Sequence, residues 1–282
     1  FALATLPSLQ SLTQSRMGRR NSPNASKNGF VGFGDPVLGG QGISRSFKPG
    51  RRNGASSDAR ALFASKQKPG GSGVQIEEIR KLSRLPGTAK ELEMLSAVLG
   101  SGKSNLYLAE KATEPAFRKA DLDSEILVLA THGLIAGELD FLTEPALVMT
   151  PPKTVLPDDD GLLTASEITQ LRINAQWVVL SACNTAASNG RDGAPGLSGL
   201  AQAFFYAGTR NMLVSHWPVR DDVAANITVR AIELEKTGEV KSRAAALRRA
   251  IQELRSDTSL DTTDDHFAHP NAWAPFILVG DS

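Results

Sequence analysis

One cysteine in 282 residues leaves no internal disulfide and suits a reducing compartment. No apolar run approaches the roughly 18 residues that a membrane helix needs, so no bilayer span and a cytoplasmic location are expected. Aromatic residues make up only 6% of the chain, and its 25 glycines follow no fixed period, which excludes a collagen. No other repeat of fixed period is present. What remains is 41% hydrophobic and 22% charged, an ordinary globular balance that also excludes a coiled coil and a wholly disordered chain. The first residue is Phe rather than Met, which reads as a segment of a longer protein. The apolar opening Phe1–Leu12 follows no basic stretch and does not read as a signal peptide.

The formal net charge of +1 hides an asymmetry. Residues 1–90 hold 15 Lys+Arg against 4 Asp+Glu, while residues 91–282 hold 16 against 26. The two parts should attract each other, or the basic part should attract an acidic partner. Basic arms bind nucleic acid, but between Gly39 and Gly73 only Phe47 and Phe63 could stack on bases. A solvated basic segment is therefore the favoured reading, and no nucleic-acid partner is expected.

Ser15–Asn28 and Gly39–Gly73 are dominated by Ser, Gly, Arg, Lys and Asn and read as two disordered basic insertions. Between them Phe30–Leu38 reads as one strand, and the main ordered core begins near Ile76. From there strands and helices alternate. Strands are expected over 105–109, 125–130, 175–181, 211–217 and 275–280. Helices are expected over 114–119, 164–171, 197–207, 221–236 and 242–255. Thr88–Glu91 and Thr164–Glu167 both read as capping boxes, the first opening a helix that carries Leu92, Leu95 and Leu99 and stops at Gly100. Continuously apolar strands alternating with helices describe an α/β fold with a mostly parallel sheet covered by helices on both faces.

Several motifs invite functional readings that their context does not support. Gly100–Ser104 resembles the end of a phosphate-binding loop, but residue 97 is Ala where the motif needs Gly. A helix also precedes it and a strand follows, the reverse of the order that supplies a phosphate-binding helix N-terminus. His266 and His269 lie near Asp261, Asp264 and Asp265, without the further soft ligands of a metal site, so no metal and no cofactor are expected. Ser215 and His216 are adjacent in a strand and point to opposite faces, and no G-x-S-x-G elbow exists.

His132 and Cys183 differ from these. Each stands just past the C-terminal end of an apolar strand, in EILVLA-THG and AQWVVL-SACNT. Such ends form the site edge of an open parallel sheet. Their separation of 51 residues is close to the caspase interval of about 50. An isolated cysteine is usually a small buried hydrophobe; the matched placement of the pair favours chemistry instead. An imidazole can take the thiol proton and later protonate a leaving amine. The Gly133 and Cys183 N–H groups are candidate oxyanion donors. No third residue of a triad is evident.

These residues carry a resemblance. ATHG at 130–133, VVLSACNT at 178–185, GLSGLAQAFFYAG at 196–208, NMLVSHWPVRDD at 211–222 and HPNAWAPFILVG at 269–280 resemble the CHAT domain family of caspase-like and separase-like cysteine peptidases. The likeness covers residues 76–282 as the core. PSLQSL and FVGFGDP resemble the family's first strands, making residues 1–75 the start of the domain. The resemblance implies a cysteine endopeptidase acting on a protein or peptide substrate, with His132 as base and Cys183 as nucleophile. It also implies regulation by N-terminal TPR-type repeats or a partner protein, in a bacterial setting. The separase-like W-x-V-x-D stretch falls on Trp217, Val219 and Asp221, making Asp221, with Asp222 as second choice, the acid that would select Lys or Arg. An N-cap role at the following helix is the competing reading for that acid. Arg19-Arg20 and Arg51-Arg52 are candidate self-cleavage sites. A scaffold that binds and cleaves nothing, and a thiol hydrolase or acyl transferase acting on small molecules, are the alternatives.

Overall fold

The computed structural model describes residues 28–40, 72–100, 104–154, 156, 158–181, 199–217, 219–257 and 267–280. The apolar runs become strands of one six-stranded sheet. In chain order its members are β1 (Asn28–Gly34), β2 (Ser104–Leu108), β3 (Ser124–Ala130), β7 (Trp177–Leu180), β8 (Asn211–Ser215) and β9 (Phe276–Gly280). Across the sheet they lie β2-β1-β3-β7-β8-β9, parallel throughout except for β8 against β9.

Alternation along each strand divides the core. Leu127, Leu129, Val178 and Leu180 pack with Phe117, Ile168 and Phe204 on one face. These belong to α3 (Glu114–Lys119), α4 (Ala165–Thr169) and α5 (Gly199–Tyr206). Ile126, Val128, Ala130, Trp177 and Val179 face the other way, onto Leu92, Ile227 and Leu247. Those sit on α2 (Pro86–Leu99), α6 (Asp221–Lys236) and α7 (Arg243–Ser256). Period-2 strands between two helical layers bury both sheet faces, which is why the strands read as unbroken apolar runs.

The structure adds elements that periodicity did not show. A small antiparallel sheet, β4 (Gly133–Leu134), β5 (Ala146–Val148) and β6 (Leu162–Thr164), is built from strands of two or three residues, too short to display a period. With α1 (Ser72–Arg80) it covers a satellite core of Leu38, Ile79, Leu134, Ala146, Val148 and Leu162. The expected disordered stretch Gly39–Gly73 is thus corrected at both ends. Gly39 and Gly40 donate to the carbonyls of Arg80 and Leu82, and α1 starts at Ser72. Most of that stretch lies outside the described residues, as do residues 1–27 and the candidate self-cleavage pairs Arg19-Arg20 and Arg51-Arg52. The strand expected over 30–38 ends at Gly34, because Asp35 turns the chain with φ 49°.

The capping box expected at Thr88–Glu91 is also corrected. Leu85 is the N-cap and Pro86 the first helical residue, which places Thr88 and Glu91 inside α2. At Thr164–Glu167 the reciprocal box is present as expected. The phosphate-loop decoy is disposed of by order, since α2 ends at Leu99 and β2 begins at Ser104.

Candidate active site

β3 and β7 are parallel neighbours, paired from Ile126 with Trp177 to Leu129 with Leu180. His132 and Cys183 each follow three residues after the paired leucines in the sequence, and the C-terminal ends of β3 and β7 lie at one edge of the sheet. Cys183 itself lies outside the described residues; Ser181 is the last described position before it. Ser181 is buried and donates its hydroxyl to Glu91 Oε2 at 3.0 Å, tying the end of β7 to α2.

The His132 ring is half-buried, with Nε2 2.7 Å from the main-chain carbonyl oxygen of Ser83. A carbonyl can only accept, so Nε2 carries the hydrogen in this contact. The basic lone pair of the neutral ring is then on Nδ1. Sequence reasoning found no third residue to set beside His132 and Cys183; in the structure the ring of His132 is held by Ser83 O. No residue pattern announces it, because every residue has a carbonyl. The backbone on either side of the ring is equally fixed. Val148 donates its N–H to His132 O at 2.9 Å, and the Thr131 hydroxyl bonds to Val148 O. Gly133 faces Leu147 across the β4–β5 ladder. Because the ladder bond is made by His132 O, Gly133 occupies a non-hydrogen-bonded position and its N–H points away from β5.

A family model described as the CHAT domain matches residues 1–281. The chain belongs to the CHAT domain family. Tetratricopeptide repeat protein 28 of Mus musculus is 28% identical over 230 residues, spanning 70% of this chain. The Homo sapiens protein of the same name is 27% identical over 230 residues, again 70% of the chain. The aligned part covers only 8% of the length of either relative. Among solved structures, the Saccharomyces cerevisiae separase–securin complex at 3.0 Å superposes with a TM-score of 0.50 and 13% identity. It covers 99% of this chain and 14% of that one. The cysteine proteinase gingipain R follows at a TM-score of 0.46 and 11% identity, with 91% of this chain and 47% of that one covered. The CHAT domain thus has the α/β fold expected from its strands, in the caspase-like form that the resemblance implied.

The remaining candidates of this CHAT domain are placed as follows. Asp221 is the first residue of α6, and the described geometry does not include its side chain. Asp222, half-exposed, accepts both Nε and Nη2 of Arg220 at 2.9 and 2.6 Å, and its Oδ1 also accepts the Val223 N–H. The Asp222 carboxylate is therefore already compensated within the chain, in an arrangement that steadies the helix start. Trp217 donates Nε1–H to Asn271 O at 3.1 Å, fixing this segment to the short helix α8 (Pro270–Trp273). His269 is the N-cap of α8, its Nδ1 accepting the Asn271 N–H at 3.2 Å, a structural use of the histidine weighed as a metal ligand. Among the described residues no group of three His, Cys, Asp or Glu could hold a metal. Among those residues no helix is long and apolar enough to cross a membrane.

Proposed function

We propose that this CHAT domain is a cysteine endopeptidase with His132 and Cys183 as its dyad. The observation that carries the reading is the parallel pairing of β3 with β7. It sets the strand that leads to a carbonyl-anchored histidine beside the strand that leads, in the sequence, to the only cysteine, with the C-terminal ends of both at one sheet edge. Cys183 lies two residues beyond buried Ser181, a span of at most about 7 Å of chain. The Cys183 thiol passes its proton to His132 Nδ1, and the sulfur attacks the scissile carbonyl carbon. Gly133 and Cys183 N–H groups hold the resulting oxyanion; one such donor is worth about 2.7–4 kcal/mol in enzymes where it has been removed. His132 then returns the proton to the leaving amine, and water hydrolyses the thioester, again with His132 as base.

Asp221 is the proposed acid for a basic P1 residue, since a carboxylate that a bound substrate takes out of water gains by meeting the substrate's cation. Asp222 is the weaker choice because Arg220 already holds it. Regulation by TPR-type repeats N-terminal to this domain is proposed from the name of the curated relatives, of which the aligned part is so small a share. The test is digestion of a diverse peptide library by wild type and Cys183→Ala, read by mass spectrometry. Cleavage confined to wild type, after Lys or Arg and losing that preference in Asp221→Ala, is the expected result. Identical peptide maps for wild type and Cys183→Ala in the full-length protein would favour the scaffold reading.

A further inference from the structure

A main-chain carbonyl orients a histidine only as well as its own backbone is held. The hold on Ser83 O comes from the next residue. Arg84 closes a two-point fork on Asp35, Nε to Oδ1 at 2.9 Å and Nη2 to Oδ2 at 2.7 Å. Asp35 is only 5% exposed and stands at the end of β1, the strand adjacent to β3, where Gly34 pairs with Ala130. The ion pair thus lies on the same sheet edge as His132. Asp35 also donates its N–H to Thr88 Oγ1 at 2.9 Å, and that hydroxyl donates to Leu85 O at 2.7 Å. On the other side Gly40 pairs with Ser83 and donates its N–H to Leu82 O. The approach there is so close that a Cβ on Gly40 would collide with Lys81 O. Residues 82–85 are gripped from both sides by the chain leaving β1.

We propose that the Asp35–Arg84 ion pair is the positioning device of this site: it fixes Ser83 O, which holds His132 in its Nε2–H tautomer and sets the direction of Nδ1. The catalytic consequence rests on the reading of His132 as the proton-transferring base. Neither Asp35 nor Arg84 is a catalytic residue; both act through the Ser83 carbonyl. The residue types suit the task. A guanidinium fork fixes direction as well as distance, which an ammonium cannot, so Arg84→Lys is not a conservative change here. Asp35 has φ 49°, a conformation asparagine also tolerates, so Asp35→Asn removes the charge while keeping the turn.

The experiment has two readouts on wild type, Asp35→Asn, Arg84→Lys and the double variant, each checked for cooperative unfolding. The first is the ring nitrogen signals of His132 in 15N-histidine-labelled protein carrying Cys183→Ala, which requires no cleavage. The expected result is a dominant Nε2–H tautomer in the parent and mixed tautomers in all three variants. The second is peptide cleavage with Cys183 intact. Here kcat is expected to fall about 10- to 100-fold with KM unchanged, since about 1 Å of misplacement costs on the order of 100-fold. The double variant should lose no more than the worse single one, because the two residues act as a unit. Unchanged His132 signals in folded variants would overturn the inference whether or not the domain cleaves peptides. Changed signals in a protein that cleaves nothing would uphold the positioning and overturn the peptidase reading alone.

Discussion

Thr88–Glu91 and Thr164–Glu167 carry the same spacing of hydroxyl and carboxyl, and they serve different ends. At Thr164 the chain arrives extended from β6, so the threonine is the N-cap. Its hydroxyl accepts the Glu167 N–H and Glu167 Oε2 accepts the Thr164 N–H, while Oε1 of the same glutamate holds Arg118 at 2.6 Å. At Thr88 the helix has already begun at Pro86. The hydroxyl turns to Asp35 and Leu85, and Glu91, one turn on, is buried against Ser181. One pair closes a helix end locally; the other joins α2 to the ends of β1 and β7 beside the candidate site. The pattern reports a helix start to within a turn, and a proline two residues earlier is enough to redirect both side chains.

This contrast can be tested by size of effect. Glu91→Ala should cost about 3 kcal/mol in denaturant unfolding, since it empties a buried position and deprives Ser181 Oγ of its acceptor. Thr88→Val should cost about 2 kcal/mol by leaving the buried Asp35 N–H without its acceptor. The third effect is pH-dependent and lies in the network that shares Arg118 with Glu167. Burial, then the charges of Asp160 and Glu167, raise Glu114 from 4.5 to about 8. Folded protein therefore holds this proton where the unfolded chain has released it, and stability should fall as pH rises from about 4.5 to about 8, by up to about 1.4 kcal/mol per pH unit. Asp159 and Asp160, also raised by burial, act with the same sign. Glu114→Gln should flatten the profile of unfolding midpoint against pH; a wild-type profile already flat over that range would contradict it. Thr164→Ala, an ordinary cap deletion, should cost about 1 kcal/mol. A larger loss at Thr164 than at Glu91 would reverse the assignment of the two motifs.

The six long strands were legible because apolar runs bounded by turn residues need no knowledge of their neighbours. The strands that lead to His132 and Cys183 were legible for the same reason, and they pair in parallel as β3 and β7. The small sheet, α1 and the groups around the histidine were not. Ser83 lies 49 residues from His132, Arg84 lies 49 from Asp35, and Ser181 lies 90 from Glu91. Contacts of this kind leave no period in the chain, and one of them ends on a carbonyl that any residue would supply.

By itself the amino-acid order determined which faces of the strands and helices are buried, since hydrophobic period and strand length depend only on neighbours along the chain. It also set His132 and Cys183 shortly after apolar runs of strand length along the chain. The tertiary structure decided the strand order, the tautomer imposed on His132, and the conversion of an apparent helix cap into a bracket between strand ends. Hydrogen bonds have direction, and their geometry exists only once distant segments have been packed into fixed positions.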